Sequence, residues 1–460
     1  MATSSSIEDW RVSNNPTCVG DNRQLQVTLE EDSPDTTTNS SRSTALDKYV
    51  VIAAAALVLF VGVGFTNTFG VFQEYYAANT LQDDKPERVI VIGSTAGSLY
   101  LILGVFTGRF ADLIGYRPSL LIGTALMVGA MFAASVATTY TQLLFSQGIM
   151  FGLGVAFAYL PAISISRQYW KQNHGLANGI VVSGGALGGT VLPYIVRRLI
   201  TQRGLPATFR ILGYIAAATL TPSIFLLRPA KPTQPLWRRR RQDDKQNSLF
   251  DLSLLHDAKF DALVIACTIA MVGFLPRYFL IPDSAIAQGI DATYASWLLG
   301  LMNGLSIVGR IGIGWFADRF GKVGALTLSF ILCGLGHLLF WLPAVSIPRS
   351  NNSSVVAMFT CFVVYTGLFG SGFLSLFPVV ISHLFGSEAL ASKQGLLNTI
   401  VGLGTLAGPS AVYAIVDSGE LRRWSVGVVS AGLFMLVGGL LLGVLLSRPY
   451  KLFNMFEDTD

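Results

Sequence analysis

Charge is what this sequence has least of. Only 13% of its 460 residues are Asp, Glu, Lys or Arg, while 52% are hydrophobic; soluble domains carry about 25% charge. That shortage argues against a chain built from ordinary water-soluble domains and makes a bilayer the better solvent. A spanning helix needs about 20 mostly apolar residues, so the length accommodates a dozen. Cysteine is nearly as scarce. Cys18, Cys267, Cys333 and Cys361 lie far apart, with neither metal-ligand spacing nor a disulfide framework. Walker, HExxH and GxSxG motifs are all missing, which leaves ATP-driven pumping and hydrolysis without machinery. The expectation is a protein that is not an enzyme and uses no cofactor or metal. Residues 1–46 are rich in Ser, Thr, Asn and Asp and hold no continuous apolar stretch, so no cleavable leader is expected there.

Apolar runs occur at about 48–72, 89–108, 118–138, 141–166, 175–196 and 208–228, and again at about 260–282, 293–316, 323–344, 355–383, 391–416 and 426–447. The reading is an all-α integral membrane protein with twelve transmembrane helices in two pseudo-symmetric six-helix halves. Its expected parts are a disordered cytosolic tail 1–47, an N-terminal bundle 48–228, a basic cytosolic linker 229–258, a C-terminal bundle 259–449 and a short tail 450–460. Lys and Arg of the linker, including Arg238 to Arg241, fall on the same side as Arg109, Arg117, Arg167, Lys171, Arg319, Lys322 and Lys393, which marks that side as cytoplasmic. Arg197, Arg198, Arg203, Arg422 and Arg423 vote the other way. The basic cluster at 237–241 reads as a contact with anionic lipid and not with nucleic acid. Asn351 and Asn352 begin overlapping glycosylation sequons on the expected outer face.

The halves repeat. GRFADLIG at 108–115 matches GWFADRFG at 314–321 in Gly108/Gly314, Phe110/Phe316, Ala111/Ala317, Asp112/Asp318 and Gly115/Gly321, an offset of 318 − 112 = 206. GLANGIVVSGGALGG from 175 matches GLLNTIVGLGTLAGP from 395, an offset of 395 − 175 = 220. Asn178 and Asn398 then occupy equivalent positions. Inside the repeated turn, glycines let helix ends approach closely, and the Asp can accept hydrogen bonds from an adjacent helix N-terminus or pair with a nearby Arg.

These turns resemble the loop signature of the major facilitator superfamily. GFTNTFGVFQEYY at 64–76, YWKQNHGLANGIVVSGGALGGTVLP at 169–193 and NGLSIVGRIGIGWFADRFG at 303–321 further resemble the fungal branch of the monocarboxylate porter family. The resemblance implies a secondary transporter whose halves rock about a central solute site. Gly108, Arg109, Asp112, Gly115, Arg117, Gly314, Asp318, Arg319 and Gly321 would form its cytoplasmic gate. The animal monocarboxylate carriers hold an Asp and an Arg four residues apart in the eighth span and a Lys in the first. Here Arg310 is kept, Ser306 replaces the Asp and Val71 stands where the Lys would be, which puts proton-coupled lactate-type transport in doubt.

Ionisable groups within spans are costly and call for a reason. By the resemblance Arg310 faces the central cavity, where it would hold a substrate carboxylate; bracing the gate or snorkelling inward are the other readings. Arg277 tunes specificity or snorkels outward. Asn67, Tyr159, Asn303 and Tyr365 lie in spans that line the cavity in the superfamily, and each either orients a ligand or bonds a neighbouring helix. His337 is read as structural. The solute is expected to be small and organic, an anion among the candidates, with protons as a candidate coupling ion and the lipid bilayer as the surrounding partner. Export of a secondary metabolite and proton-coupled uptake of a monocarboxylate-like nutrient both stay open, with a non-transporting sensor more remote. A monomer in the plasma membrane, in preference to the vacuolar one, completes the expectation.

Overall fold

A computed structural model describes residues 45–82, 86–170, 172–229, 254–255, 257–348, 352–387, 389–416 and 421–447. Residues 1–44, most of the linker, Asn351 and the tail 450–460 lie outside them, and with them the expectations placed there.

All regular structure among the described residues is helical. The rods follow in chain order. α1 is Ala45–Asn67, continued past a break at Thr68 as Phe69–Tyr75 and Tyr76–Thr80; α2 is Pro86–Ile102 with Gly104–Ile114; α3 is Tyr116–Ala134; α4 runs through Tyr140–Leu143, Leu144–Met150 and Phe151–Tyr169. His174–Leu226 is one 53-residue helix interrupted at Gly204, whose φ of 78° is not helical; its parts, 174–203 and 205–226, are α5 and α6. α7 is Ala258–Phe274 with Pro276–Ala287, α8 Ala292–Phe320, α9 Lys322–Gly336 with His337–Trp341 and Leu342–Ser346, α10 Asn352–Phe369 with Gly372–Leu384, α11 Leu390–Val416 and α12 Leu421–Ser447.

Nine helical stretches among the described residues are long and apolar enough to cross a membrane, or ten when the two parts of α2, bent by 51°, count as one. The 53-residue stretch is one of the nine and holds two rods. Its reversal is tighter than the apolar pattern suggests: helix continues through 197–207, which the hydropathy profile leaves as a loop. Gly204 supplies the turn, and Pro206 sits in the first turn of α6, where its missing N–H costs little.

The core divides between the halves. One buried apolar cluster draws almost wholly on residues 51–227 and centres on Phe72, Phe151, Leu160 and Phe209. Two others belong to the second half, around Phe260, Phe330 and Phe373 and around Trp341, Phe359 and Phe362. Each half is thus packed on itself, and what joins them is mainly a pair of small-residue seams. α5 lies on α8 where a side chain on Gly175 would collide with the Gly314 carbonyl, and α2 lies on α11 where one on Gly104 would come within 2.8 Å of the Gly395 carbonyl oxygen. Small residues allow such backbone approach within a bilayer, where apolar burial gives helices no extra attraction.

Candidate functional site

The repeated turn forms two helix caps that cross from one half to the other. A helix leaves its first N–H groups without partners and carries a partial positive charge there. At the start of α5, Gly175 N–H donates to Asp318 Oδ1 and Leu176 N–H to Asp318 Oδ2, both at 2.9 Å. At the start of α11, Ser392 donates its N–H at 2.7 Å and its hydroxyl at 2.6 Å to Asp112 Oδ2. Each carboxylate therefore closes a helix end of the opposite half. Gly175 is needed for the fit, since a Cβ there would stand 3.0 Å from Asp318 Oδ1. Gly115 and Gly321 end the helices that carry the two acids, each with φ of 111°, a conformation that glycine adopts freely.

Two arginines of the turns act elsewhere. Arg117 donates to the Phe225 carbonyl at the end of α6, 3.3 Å away, and exposed Arg319 lies over the Trp315 ring at 4.9 Å; neither forms an ion pair with Asp112 or Asp318. Gly108 packs on the Ala391 backbone, and Arg109 follows it on the same turn. Further contacts reinforce this end. Asn178 donates its amide to the Ser375 carbonyl, and buried His174 meets the Ser382 hydroxyl at 3.1 Å, both between halves. At the break in α2, Thr399 bridges by accepting from Val105 N–H at 3.0 Å and donating to the Ile102 carbonyl at 2.9 Å.

The seams also correct the repeat register. Helices α5 and α11 start at 174 and 390, an offset of 390 − 174 = 216, four residues less than the motif match. Gly175 meets Gly314, the counterpart of Gly108, but Gly395 meets Gly104. Asn178 and Asn398 are thus one turn out of register: Asn178 crosses the seam while Asn398 accepts from Gln394 of its own helix at 2.9 Å. Cap geometry, and not the recurring Asn, sets where each helix lies.

Arg310 lies eight residues before Asp318 on α8, about 12 Å deeper along the helix. Its side chain is buried, and Nη1 donates to the Val182 carbonyl of α5 at 2.8 Å. Nε has no partner, and no carboxylate comes within ion-pair range among the described residues. Tyr100, Tyr159, Tyr278 and Arg277 all lie within its electrostatic reach. The Tyr159 ring packs against Tyr100 at 5.2 Å. Arg277 is buried too, just past the break between the two parts of α7. Nη1 points to Cys333 Sγ at 2.9 Å, and Nη2 to the Gly370 carbonyl and the Tyr278 hydroxyl at 3.3 and 3.4 Å. Its guanidinium stacks on Phe274 at 4.0 Å. Neither arginine snorkels.

Other expected residues divide. Asn303 is two turns from Arg310 on α8, and exposed Asn67 ends the first part of α1, beside Gly189. Tyr365 is not brought to the cluster: its ring packs on Phe340, Phe369 and the backbone of Gly336, all on the α9 side. Tyr100 and Tyr278 escaped the sequence reading because a lone Tyr in an apolar run carries no periodic signal. His337 is buried against Trp341 and Phe362 with Nδ1 2.8 Å from the Cys333 carbonyl, a structural setting.

Comparison with known proteins now adds the family. A model of the Major Facilitator Superfamily matches residues 54–364 and 263–454. This chain belongs to the major facilitator superfamily. It is similar to the MFS-type transporter pynF of Aspergillus niger, 28% identical over 88% of this chain and 89% of that one. It is also similar to the MFS transporter asaE of Aspergillus flavus, 27% identical over 87% of each, and to the agnestins efflux protein AgnL12 of Paecilomyces divaricatus, 28% identical over 87% of each. The superfamily member described here is therefore a multi-pass membrane transporter and not an enzyme.

Proposed function

We propose that this transporter exports a small anionic organic solute by alternating access, with Arg310 as the group that holds the anion. One observation carries the reading: among the described residues, a buried guanidinium stands at the seam between the halves with a single carbonyl as its hydrogen-bond partner and no carboxylate in ion-pair range. An uncompensated charge at mid-span is expensive, about 2.5 to 3.5 kcal/mol on insertion scales, and an anionic solute would offset it through charge-assisted, bidentate hydrogen bonds. Tyr100, Tyr159 and Tyr278 would set the orientation. The solute would compete for Arg310 with Val182 of the other half, which links binding to the seam that must open. Export is favoured over uptake because AgnL12 bears an efflux name and because Ser306, where the animal carriers have an Asp, only donates its hydroxyl to the Asn303 carbonyl at 2.8 Å.

The test is reconstitution in liposomes with a panel of organic acids, with and without a pH gradient. Arg310→Gln should lose at least about tenfold in the rate for an anion, the cost of one lost charge-assisted hydrogen bond, with equal protein inserted. Normal saturable transport in that variant removes Arg310 from the site. Transport of neutral or cationic solutes alone overturns the anion reading.

A further inference from the structure

Arg277 is unexplained by a site that holds one anionic group. It is among the largest fully buried side chains of the protein, yet a thiol, a carbonyl and a phenol are its hydrogen-bond partners, and its Nε is left without one. The fold makes room for it deliberately. α7 breaks at Leu275 and α10 breaks at Gly370 and Ser371; the guanidinium lies between the two breaks, and a Cβ on Gly370 would come to 2.5 Å from Nη1. Broken helices that free main-chain groups near mid-membrane are where transporters of this kind of architecture place ligands. α8 brings Arg310 to the same break: a Cβ on the preceding residue, Gly309, would lie 2.6 Å from both the Gly367 carbonyl oxygen and Ser371 Oγ, around the Gly370 carbonyl that accepts from Arg277, and Arg277 also reaches the Tyr278 hydroxyl. Two buried like charges with no acid in ion-pair range among the described residues are costly, and a ligand that supplies negative charge would offset that cost.

We infer that Arg277 and Arg310 form a two-cation seat, bridged by Tyr278, that selects organic solutes carrying two acidic groups over those carrying one. This rests on the anion-transport reading and narrows its substrate class to dianions. Arg310 would take the first acidic group and Arg277 the second, with Phe274, already stacked on Arg277, as the apolar wall beside it.

The test compares phthalate with benzoate, the same ring with two carboxylates or one, by quenching of tryptophan fluorescence in the purified full chain. Wild type should bind phthalate at least about tenfold more tightly, one further charge-assisted contact. That preference should vanish as pH falls through the second dissociation of phthalate. Arg277→Gln should bind the two acids about equally while keeping wild-type affinity for benzoate, and Arg277→Lys should restore part of the preference because it keeps the charge. Equal binding of both acids by wild type, or equal weakening of both by Arg277→Gln, overturns the two-cation seat and leaves anion transport standing. Binding of neither acid, with wild type and Arg310→Gln alike, sinks the anion reading and the seat together. If Arg277→Gln does not fold, the wild-type ratio and its pH dependence decide alone.

Discussion

Asp112 and Asp318 show how much a single side chain can do when its oxygens lie at a helix end. Both serve N–H groups of the opposite half. Asp318→Asn removes the charge and leaves one oxygen for two donors, and the new amide NH2 faces another N–H. Losing such a charged, partly buried hydrogen bond costs about 1 to 3 kcal/mol. The capped end should therefore open more often, by a factor on the order of ten for each 1.4 kcal/mol. A Ser382→Cys reporter, buried at this end, should react correspondingly faster with an impermeant maleimide in the Asp318→Asn background. Equal reaction rates would show that the cap does not hold the gate. The acids were legible because their motif recurs; the N–H groups of Gly175, Leu176 and Ser392 that they accept from were not, since a main-chain donor has no sequence signature.

At the scale of the element, helices were easy to foresee and their breaks were not. Apolar length locates the rods, but α1 breaks at Thr68 with no Pro or Gly next to it, whereas Gly104, Pro276 and Gly370 stand at or next to the breaks in α2, α7 and α10. The breaks in α1 and α7 fall at corresponding places in the two halves, at an offset of 275 − 68 = 207, so the repeat extends to interruptions as well as to rods. The turns after α2 and α8 were readable from their glycines, and the structure explains why. Gly115 and Gly321 both hold φ of 111°, where any other residue is strained by roughly 1 to 3 kcal/mol. Gly321→Ala should therefore lower the melting temperature of the purified protein and speed labelling at the gate. Gly312→Ala, within α8, exposed and with nothing near a Cβ, should instead leave stability unchanged or raise it by up to about 1 kcal/mol through helix propensity. Equal effects of the two changes would remove the backbone argument.

Across the whole molecule the two halves close unevenly along the α5–α8 seam. At the capped end the backbones of Gly175 and Gly314 touch, and a Cβ on Gly179 would lie 2.5 Å from the Arg310 carbonyl oxygen. Towards the other end the same seam relaxes: a Cβ on Gly304 would stand 3.9 Å from the Thr190 methyl, and one on Gly300 4.0 Å from the Tyr194 hydroxyl. The helices diverge, which is the geometry of a transporter shut at the capped end and looser at the far one. No composition or motif could announce which state a two-state molecule adopts, because the sequence must be compatible with both. A wedge at either end should bias the balance in opposite directions. Gly304→Trp should hold the far end apart, so that the Ser382→Cys reporter stays shielded and transport falls by at least about tenfold while anion binding persists. Gly314→Trp cannot fit against Gly175, so it should expose the reporter and release the caps. If both wedges left the reporter equally shielded, the seam would not be the moving part, and the capped turns would be scaffolding for a bundle that works in some other way.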